Sequence, residues 1–206
     1  MQRGAPVAWW LLIGLLGLPA LCLPLVDLHA PWATWPPLTA NLALHPDQGL
    51  HQPPWVWWSC AWLHGSAAHL WRNLAALLML GALGQVLRPS WPDVVRLAIA
   101  WPLTHLGMLA QSNLPTYVGL SGVLHALAAL LLMGQLFRQH PVVPRALSVV
   151  GLLGLVTKVL LENPWQMTLV ADPRSAINVA PWVHFCGAVA GLALGALGAR
   201  TQAGKP

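Results

Sequence analysis

Long apolar stretches separated by short polar gaps dominate the pattern of this chain. A helix that crosses the hydrocarbon core of a membrane needs roughly 20 mainly apolar residues. Six stretches meet or approach that length, so we predict an all-α protein with a bundle of six transmembrane helices, forming a single domain over residues 1–206. The predicted spans are residues 7–27, 67–87, 94–111, 119–137, 146–161 and 181–199.

The first stretch has a second interpretation as a cleavable signal peptide. Arg3 precedes the apolar run and Ala30 follows it, as they would in such a peptide. The run is longer than the core of a signal peptide usually is, so we favour a helix that is retained.

Composition supports a membrane protein, because only 7% of the residues are charged and 57% are hydrophobic. A soluble domain carries about 25% charged residues. The net charge of +5 does not indicate a nucleic-acid partner, since the basic residues never cluster and instead lie in the gaps between apolar stretches. The lipid bilayer is therefore the expected partner of most of the surface.

The basic residues also predict the orientation. If the N-terminus is cytoplasmic, seven basic residues lie towards the inner side and two towards the outer side, which satisfies the positive-inside rule and makes both termini cytoplasmic. The longest external loop, residues 28–66, has six tryptophans and neither lysine nor arginine, so we expect it to lie in the headgroup layer. The inner basic residues are Arg3, Arg88, Arg96, Arg138, Arg145, Arg200 and Lys205, and the outer ones are Arg72 and Arg174.

A serine between glycines opens the fourth span, in the sequence Gly119-Leu120-Ser121-Gly122. Polar groups at membrane depth are functional candidates. The two glycines permit a tight turn into a helix, which would expose the hydroxyl and leave backbone N–H groups free beside it. Taken alone, the motif favours the alternative of ordinary helix packing through small residues.

His184 in the sixth span is followed by Gly187 and Gly191 on the same helical face. A glycine stripe lets another helix approach closely. If that helix is the fourth span, the imidazole can reach Ser121 and act as its general base. The alternative is a histidine that only bonds a neighbouring carbonyl.

Three polar residues surround the start of the second span. His69 and Asn73 are four residues apart and lie on one helical face, and His64 precedes them. Both side chains on that face can donate hydrogen bonds to an oxyanion. Their alternative role is to link helices by hydrogen bonds.

Lys158 and Glu162, also four residues apart, predict a local ion pair that points outward from the fifth span, with gating or substrate contact as the alternative. No carboxylate is expected within the spans to complete a triad. The predicted catalytic set is therefore a Ser121–His184 dyad, with His69 and Asn73 at the same depth.

Two other functions stay open on these residues. A bundle with histidines in several spans could bind haem, and a protein with this pattern could bind membrane clients without cutting them. The chain has no HExxH motif for a zinc site. We expect neither a metal nor an organic cofactor.

Three short motifs on the second, fourth and sixth predicted spans resemble, in their order along the chain, the motifs of the rhomboid protease family over residues 50–199. They are His64, His69 and Asn73, then Gly119-Leu120-Ser121-Gly122, then His184, Gly187 and Gly191.

The resemblance implies that Ser121 and His184 are the catalytic pair. It also implies that His69, Asn73 and the Ser121 backbone N–H stabilise the oxyanion, while His64 structures the first external loop. The implied substrates are single-pass transmembrane proteins.

Two positions depart from the usual rhomboid pattern. Trp55-Val56 stands where many rhomboids have Trp-Arg, and His125 stands where many have a tyrosine that packs on the catalytic histidine. We expect the His125 ring to lie near His184 and stack on it instead; the alternative is that His125 only bonds a neighbouring carbonyl.

The sequence Gly-Leu-Ser-Gly-Val-Leu-His in a compact chain resembles the rhombosortase branch of the family. That branch implies a bacterial inner-membrane protein whose active site opens to the periplasm. It also implies substrates with a C-terminal Gly-Gly-plus-helix anchor.

Overall fold

The computed structural model describes residues 5–166, 169–172 and 177–203, which leaves Arg3, Arg174 and Lys205 outside the described residues. Within these ranges the regular elements are helices, joined by loops, together with one short antiparallel hairpin. The helices are α1 Pro6–Cys22, α2 Pro37–Leu42, α3 Val56–Ser59, α4 Ala67–Leu87, α5 Trp91–Leu106, α6 Ser121–Phe137, α7 Arg145–Leu161 and α8 Pro181–Ala203; the hairpin pairs β1 Val170–Asp172 with β2 Ile177–Val179.

The helical class predicted from the sequence is confirmed, except that the hairpin between α7 and α8 was not predicted. Each predicted span coincides with one long helix, namely α1 and α4 to α8. Among the described residues, α4 and Pro181–Gly198 of α8 are long and apolar enough to cross a membrane, whereas α1 and α6 are shorter apolar helices. Helix α1 ends at Cys22 rather than at residue 27, because Pro24 pushes Leu23 into an extended conformation.

Helices α6 and α8 form the most extensive helix pair of the described chain. A Cβ atom on Gly187 would overlap the carbonyl oxygen of Gly122, and one on Gly191 would overlap the carbonyl oxygen of Ala126. The two backbones are therefore in direct contact along one face of each helix. Most of α6 is buried by its neighbours, which makes it the central helix of the bundle.

The external loop folds back onto the bundle through its tryptophans. The Trp62 indole donates to the Leu15 carbonyl at 3.0 Å, and the Trp101 indole donates to the Trp58 carbonyl at 3.1 Å. His105, fully buried in α5, bonds the Trp57 carbonyl through Nδ1 at 2.6 Å. These contacts fix the loop against α1 and α5, on the side where α4, α6 and α8 begin.

The same loop pairs with the segment that leads into α6. Leu44 and Tyr117 form an isolated antiparallel bridge, with N···O distances of 3.2 and 2.8 Å between their backbones. The Gly119 N–H donates to the Cys60 carbonyl at 2.9 Å. The turn before Ser121 is thus held by the external loop.

We predict that Gly191→Val destabilises the protein by about 1–3 kcal/mol or more, because the new side chain must displace the backbone carbonyl of Ala126. The matched control is Gly134→Val in α6, where a Cβ atom meets nothing within 4 Å. Thermal unfolding in detergent measures both variants. Equal unfolding midpoints would contradict the packing argument.

Candidate active site

Ser121 is the first residue of α6, so its backbone N–H belongs to the helix end that lacks intrahelical acceptors. Gly119, two residues earlier, has φ +132°, a conformation that favours glycine. A Cβ atom there would lie 2.9 Å from the ring of His69. The Tyr117 hydroxyl donates to the Gly119 carbonyl at 2.9 Å. The turn therefore holds Ser121 in one defined orientation.

His184 lies in the first turn of α8 and is almost fully buried. Its Nε2 atom is 2.9 Å from Ser121 Oγ. The two residues meet because Gly187 and Gly122, close to them along α8 and α6, allow backbone contact. The structure thus brings together the serine and the histidine that the sequence singles out.

The sequence predicts no carboxylate within the spans to complete a triad, but one contacts the histidine from just beyond the predicted fifth span. His184 Nδ1 donates to Glu162 Oε2 at 2.6 Å. Helix α7 ends at Leu161, and the left-handed conformation of Asn163, with φ 51°, terminates it immediately after Glu162. The carboxylate lies outside the apolar span, at the same end of the bundle as His184.

The ion pair predicted between Lys158 and Glu162 is present, with a distance of 2.6 Å, but it does not simply point outward. Partial burial alone would raise the pKa of Glu162, but hydrogen bonds and charge interactions with His184 and Lys158 outweigh burial and lower it to about 2. Glu162 is therefore an anion at neutral pH.

His125, one turn after Ser121, stacks on His184 with ring centroids 4.1 Å apart and planes 16° apart. Its Nδ1 donates to the Ser121 carbonyl at 2.7 Å, and its Nε2 accepts from Lys158 Nζ at 2.9 Å. The stacking expected from the sequence is thus present. Together with Ser121, His184, Glu162 and Lys158, His125 closes a five-residue hydrogen-bonded ring that we call the polar ring.

His64 holds Asn73 in place. The Asn73 amide donates to His64 Nε2 at 3.0 Å, and His64 Nδ1 is 3.3 Å from the Trp62 carbonyl. Burial, together with the neighbouring His69, lowers the pKa of His64 to about 4, so the ring is neutral and can accept this bond at neutral pH. The His64 and His69 rings meet edge to face with centroids 4.9 Å apart. His64 therefore positions Asn73 as well as contacting the loop.

The position that departs from the Trp-Arg pattern is occupied by apolar packing. Val56 is buried in the apolar cluster that also contains Tyr117 and Val183. The neighbouring Trp55 indole donates to the Asn41 carbonyl at 2.9 Å. Val56 thus makes apolar contacts at the position where many rhomboids have an arginine.

An apolar cavity adjoins the serine turn. Residues from the external loop form one wall, and the segment before α6 forms another. Its lining includes Leu28, Trp32, Trp35, Leu114, Val118 and Ala180. The cavity offers an apolar surface next to the turn that carries Ser121.

A serine hydroxyl bonded to an imidazole, with a carboxylate on the far ring nitrogen, is chemically equipped for acyl transfer. His69 and Asn73 lie on the neighbouring helix as buried hydrogen-bond donors. Among the described residues, no group of three or more histidine, cysteine, aspartate or glutamate side chains is arranged to hold a metal ion.

Glu162 belongs to the site, although the sequence predicted only a local ion pair between it and Lys158. A signal was available, since Glu162 is the only glutamate in the chain and directly follows an apolar stretch. Lys158, four residues earlier, already provides a partner for the charge of Glu162, so the sequence alone did not predict the contact with His184.

The fold and the site define an apolar helical bundle with a serine–histidine pair at one end. A family model of the rhomboid domain matches residues 51–201. The chain belongs to the rhomboid family of integral membrane proteins, whose members are generally intramembrane serine proteases acting on membrane proteins. A comparison with curated proteins finds no significant match.

Proposed function

We propose that this protein is an intramembrane serine endopeptidase in which Ser121 is the nucleophile and His184 the general base. The observation that carries the proposal is the 2.9 Å contact between Ser121 Oγ and His184 Nε2 at the buried end of α8. Family membership supports the same reaction class. Serine is a weak nucleophile until an adjacent base takes its proton, and this contact supplies that base.

The reaction proceeds in two halves. Ser121 Oγ attacks the scissile carbonyl carbon while its proton moves to His184 Nε2. The C–N bond then breaks, and Nε2 returns the proton to the leaving amine. In the second half, water gives a proton to Nε2 and attacks the acyl-enzyme. The C–Oγ bond breaks, and the proton returns to Ser121.

His69, Asn73 and the Ser121 N–H stabilise the oxyanion in this proposal. The serine N–H is a donor at a helix N-terminus, where backbone N–H groups favour negative charge. The Asn73 amide has two hydrogens, and its bond to His64 uses one of them, so the other remains available.

We further propose six membrane spans, formed by α1 and α4 to α8, with the active site opening to the outer side and both termini cytoplasmic. The N-terminal ends of α4, α6 and α8 carry the site residues, so the site lies at one end of the bundle. At the opposite end, Arg138 and Arg145 bond backbone carbonyls of the helix ends. Their position agrees with a positive cytoplasmic side.

The proposed substrates are single-pass membrane proteins, and the rhombosortase branch narrows them to surface proteins with a C-terminal Gly-Gly-plus-helix anchor. The motif Gly-Leu-Ser-Gly-Val-Leu-His supports this branch. An intact helix hides its carbonyls, so small helix-breaking residues near the cleavage point favour access to Ser121. The bacterial inner membrane is the corresponding location.

We predict that Ser121→Ala and His184→Ala each lower cleavage by about 10³-fold or more, since both remove part of the nucleophile–base pair. The assay co-expresses the protein with a secreted reporter anchored by a Gly-Gly segment and one hydrophobic helix, and measures reporter release. Ser148→Ala is the matched control, because Ser148 is fully buried in α7 away from the site.

Wild-type release by Ser121→Ala would overturn the proposed nucleophile. If a reporter without Gly-Gly before its helix is released as fast as the Gly-Gly reporter, the protease function stands. The proposed preference for Gly-Gly-anchored substrates is then rejected.

We predict that Asn73→Ala lowers cleavage by about 10- to 1,000-fold, as does His69→Ala, if both residues donate to the oxyanion. His64→Ala should lower it as well, because Asn73 then loses the group that orients its amide. In the Asn73→Ala background, however, His64→Ala should add little further loss. Additive losses in this double-mutant cycle would contradict the positioning of Asn73 by His64.

A further inference from the structure

Glu162 occupies an unfavourable place for a carboxylate. It follows the last turn of α7, where the negative end of the helix dipole disfavours an anion. It is also the only glutamate in a chain with five acidic residues. A carboxylate at this position needs compensating partners, and the structure supplies two of them.

The two partners of Glu162 lie in different environments. Lys158 has 51% of its side chain exposed, whereas the side chain of His184 is 6% exposed. An exposed ion pair between residues i and i+4 contributes little because water screens it. The contact with His184 lies in the buried part of the site, where water screens charge less. The histidine is therefore the partner on which the carboxylate acts more strongly.

The contact also determines which nitrogen of His184 carries the proton. A carboxylate only accepts hydrogen bonds, so Nδ1 must be the protonated nitrogen in the 2.6 Å contact with Oε2. Nε2 is then left with its lone pair facing Ser121 Oγ. This is the tautomer that a general base for the serine requires.

We propose that Glu162 is a positioning residue that completes a Ser121–His184–Glu162 triad. The inference rests on the proposed protease function and deepens it. Glu162 keeps the Nδ1 proton on His184 and stabilises the imidazolium that forms when Nε2 takes the serine proton. The carboxylate stays ionised throughout, and no proton moves to it.

Lys158 and His125 support this arrangement from the other side of the polar ring. Lys158 Nζ bonds Glu162 Oε1, which leaves Oε2 for the histidine. It also donates to His125 Nε2, so His125 directs its own N–H at the Ser121 carbonyl. The stacked His125 ring then limits rotation of the His184 ring.

The groups that face His184 have opposing effects on its charge. The carboxylate of Glu162 bonds His184 Nδ1 and attracts positive charge on the ring, while the ammonium group of Lys158, bonded to the same carboxylate, repels it. His125 from α6 and His69 from α4 also interact with it. A change in Glu162 and a change in Lys158 should therefore shift the pH dependence of His184 in opposite directions.

The test measures how fast a fluorescent fluorophosphonate labels Ser121 in the purified full-length protein, as a function of pH. Glu162→Gln should lower the rate by about 10- to 1,000-fold, because the amide keeps the shape and loses the charge. The acidic limb of the pH–rate profile, where protonation of His184 lowers the labelling rate, should move to lower pH. The reason is that the imidazolium loses its anionic partner. Glu162→Asp should recover part of the rate.

Lys158→Met should lower the rate less than Glu162→Gln does, and it should move the acidic limb of the pH–rate profile to higher pH. The matched control is Asp93→Asn, which breaks the 2.7 Å ion pair with Arg96 in α5 and should leave the labelling rate unchanged. If Glu162 served only as the partner of Lys158, Glu162→Gln and Lys158→Met would lower stability equally and leave the limb in place. That result would overturn the triad.

The outcomes separate the triad from the protease function. If Ser121→Ala abolishes the labelling seen in the wild type, but Glu162→Gln is labelled at the wild-type rate and pH dependence, the triad is rejected and the protease function is retained. Absence of labelling in the wild type rejects the protease function and the triad with it.

A second measurement does not depend on activity or on how well Glu162→Gln folds. In the Ser121→Ala background, proton NMR should show a far-downfield Nδ1–H resonance from the short bond between His184 and Glu162. The same resonance should persist in Lys158→Met. Its absence in Ser121→Ala would contradict the proposed contact.

Discussion

The backbone contact between α6 and α8 is the constraint on which the site depends. The carbonyl oxygens of Gly122 and Ala126 lie where Cβ atoms of Gly187 and Gly191 would be, so the helices approach as closely as their backbones allow. In an apolar environment such contacts, rather than the hydrophobic effect, drive helix association. Because His184 precedes Gly187 by one turn, the same contact brings the imidazole to Ser121.

The polar ring explains how so many polar groups can lie at the end of an apolar bundle. An unpaired polar group in a buried position is costly, and a partly satisfied network is worse than an apolar core. Here each described member bonds the next, from Ser121 through His184, Glu162 and Lys158 to His125 and back to the Ser121 carbonyl. The ring therefore limits the motion of the Ser121 side chain and of the His184 imidazole.

Much of this arrangement could be predicted from the sequence, because apolar runs and glycine spacing are local signals. These signals predicted the long helices, the close approach of α8 to α6 and the pairing of Ser121 with His184. Glu162 could not be found in this way, since its local partner Lys158 already accounted for its charge. The hairpin of Val170–Asp172 with Ile177–Val179 was also missed, because three residue pairs are too few to leave a periodic pattern.

The most direct test of the account is an experimental structure of the fluorophosphonate-treated protein in a lipid nanodisc. The account predicts a single covalent adduct on Ser121 Oγ. It also predicts that α6 and α8 stay in backbone contact at Gly122 and Gly187, and that His184 Nδ1 remains within hydrogen-bonding distance of Glu162. An adduct on another residue, or helices α6 and α8 separated by a layer of side chains, would contradict it.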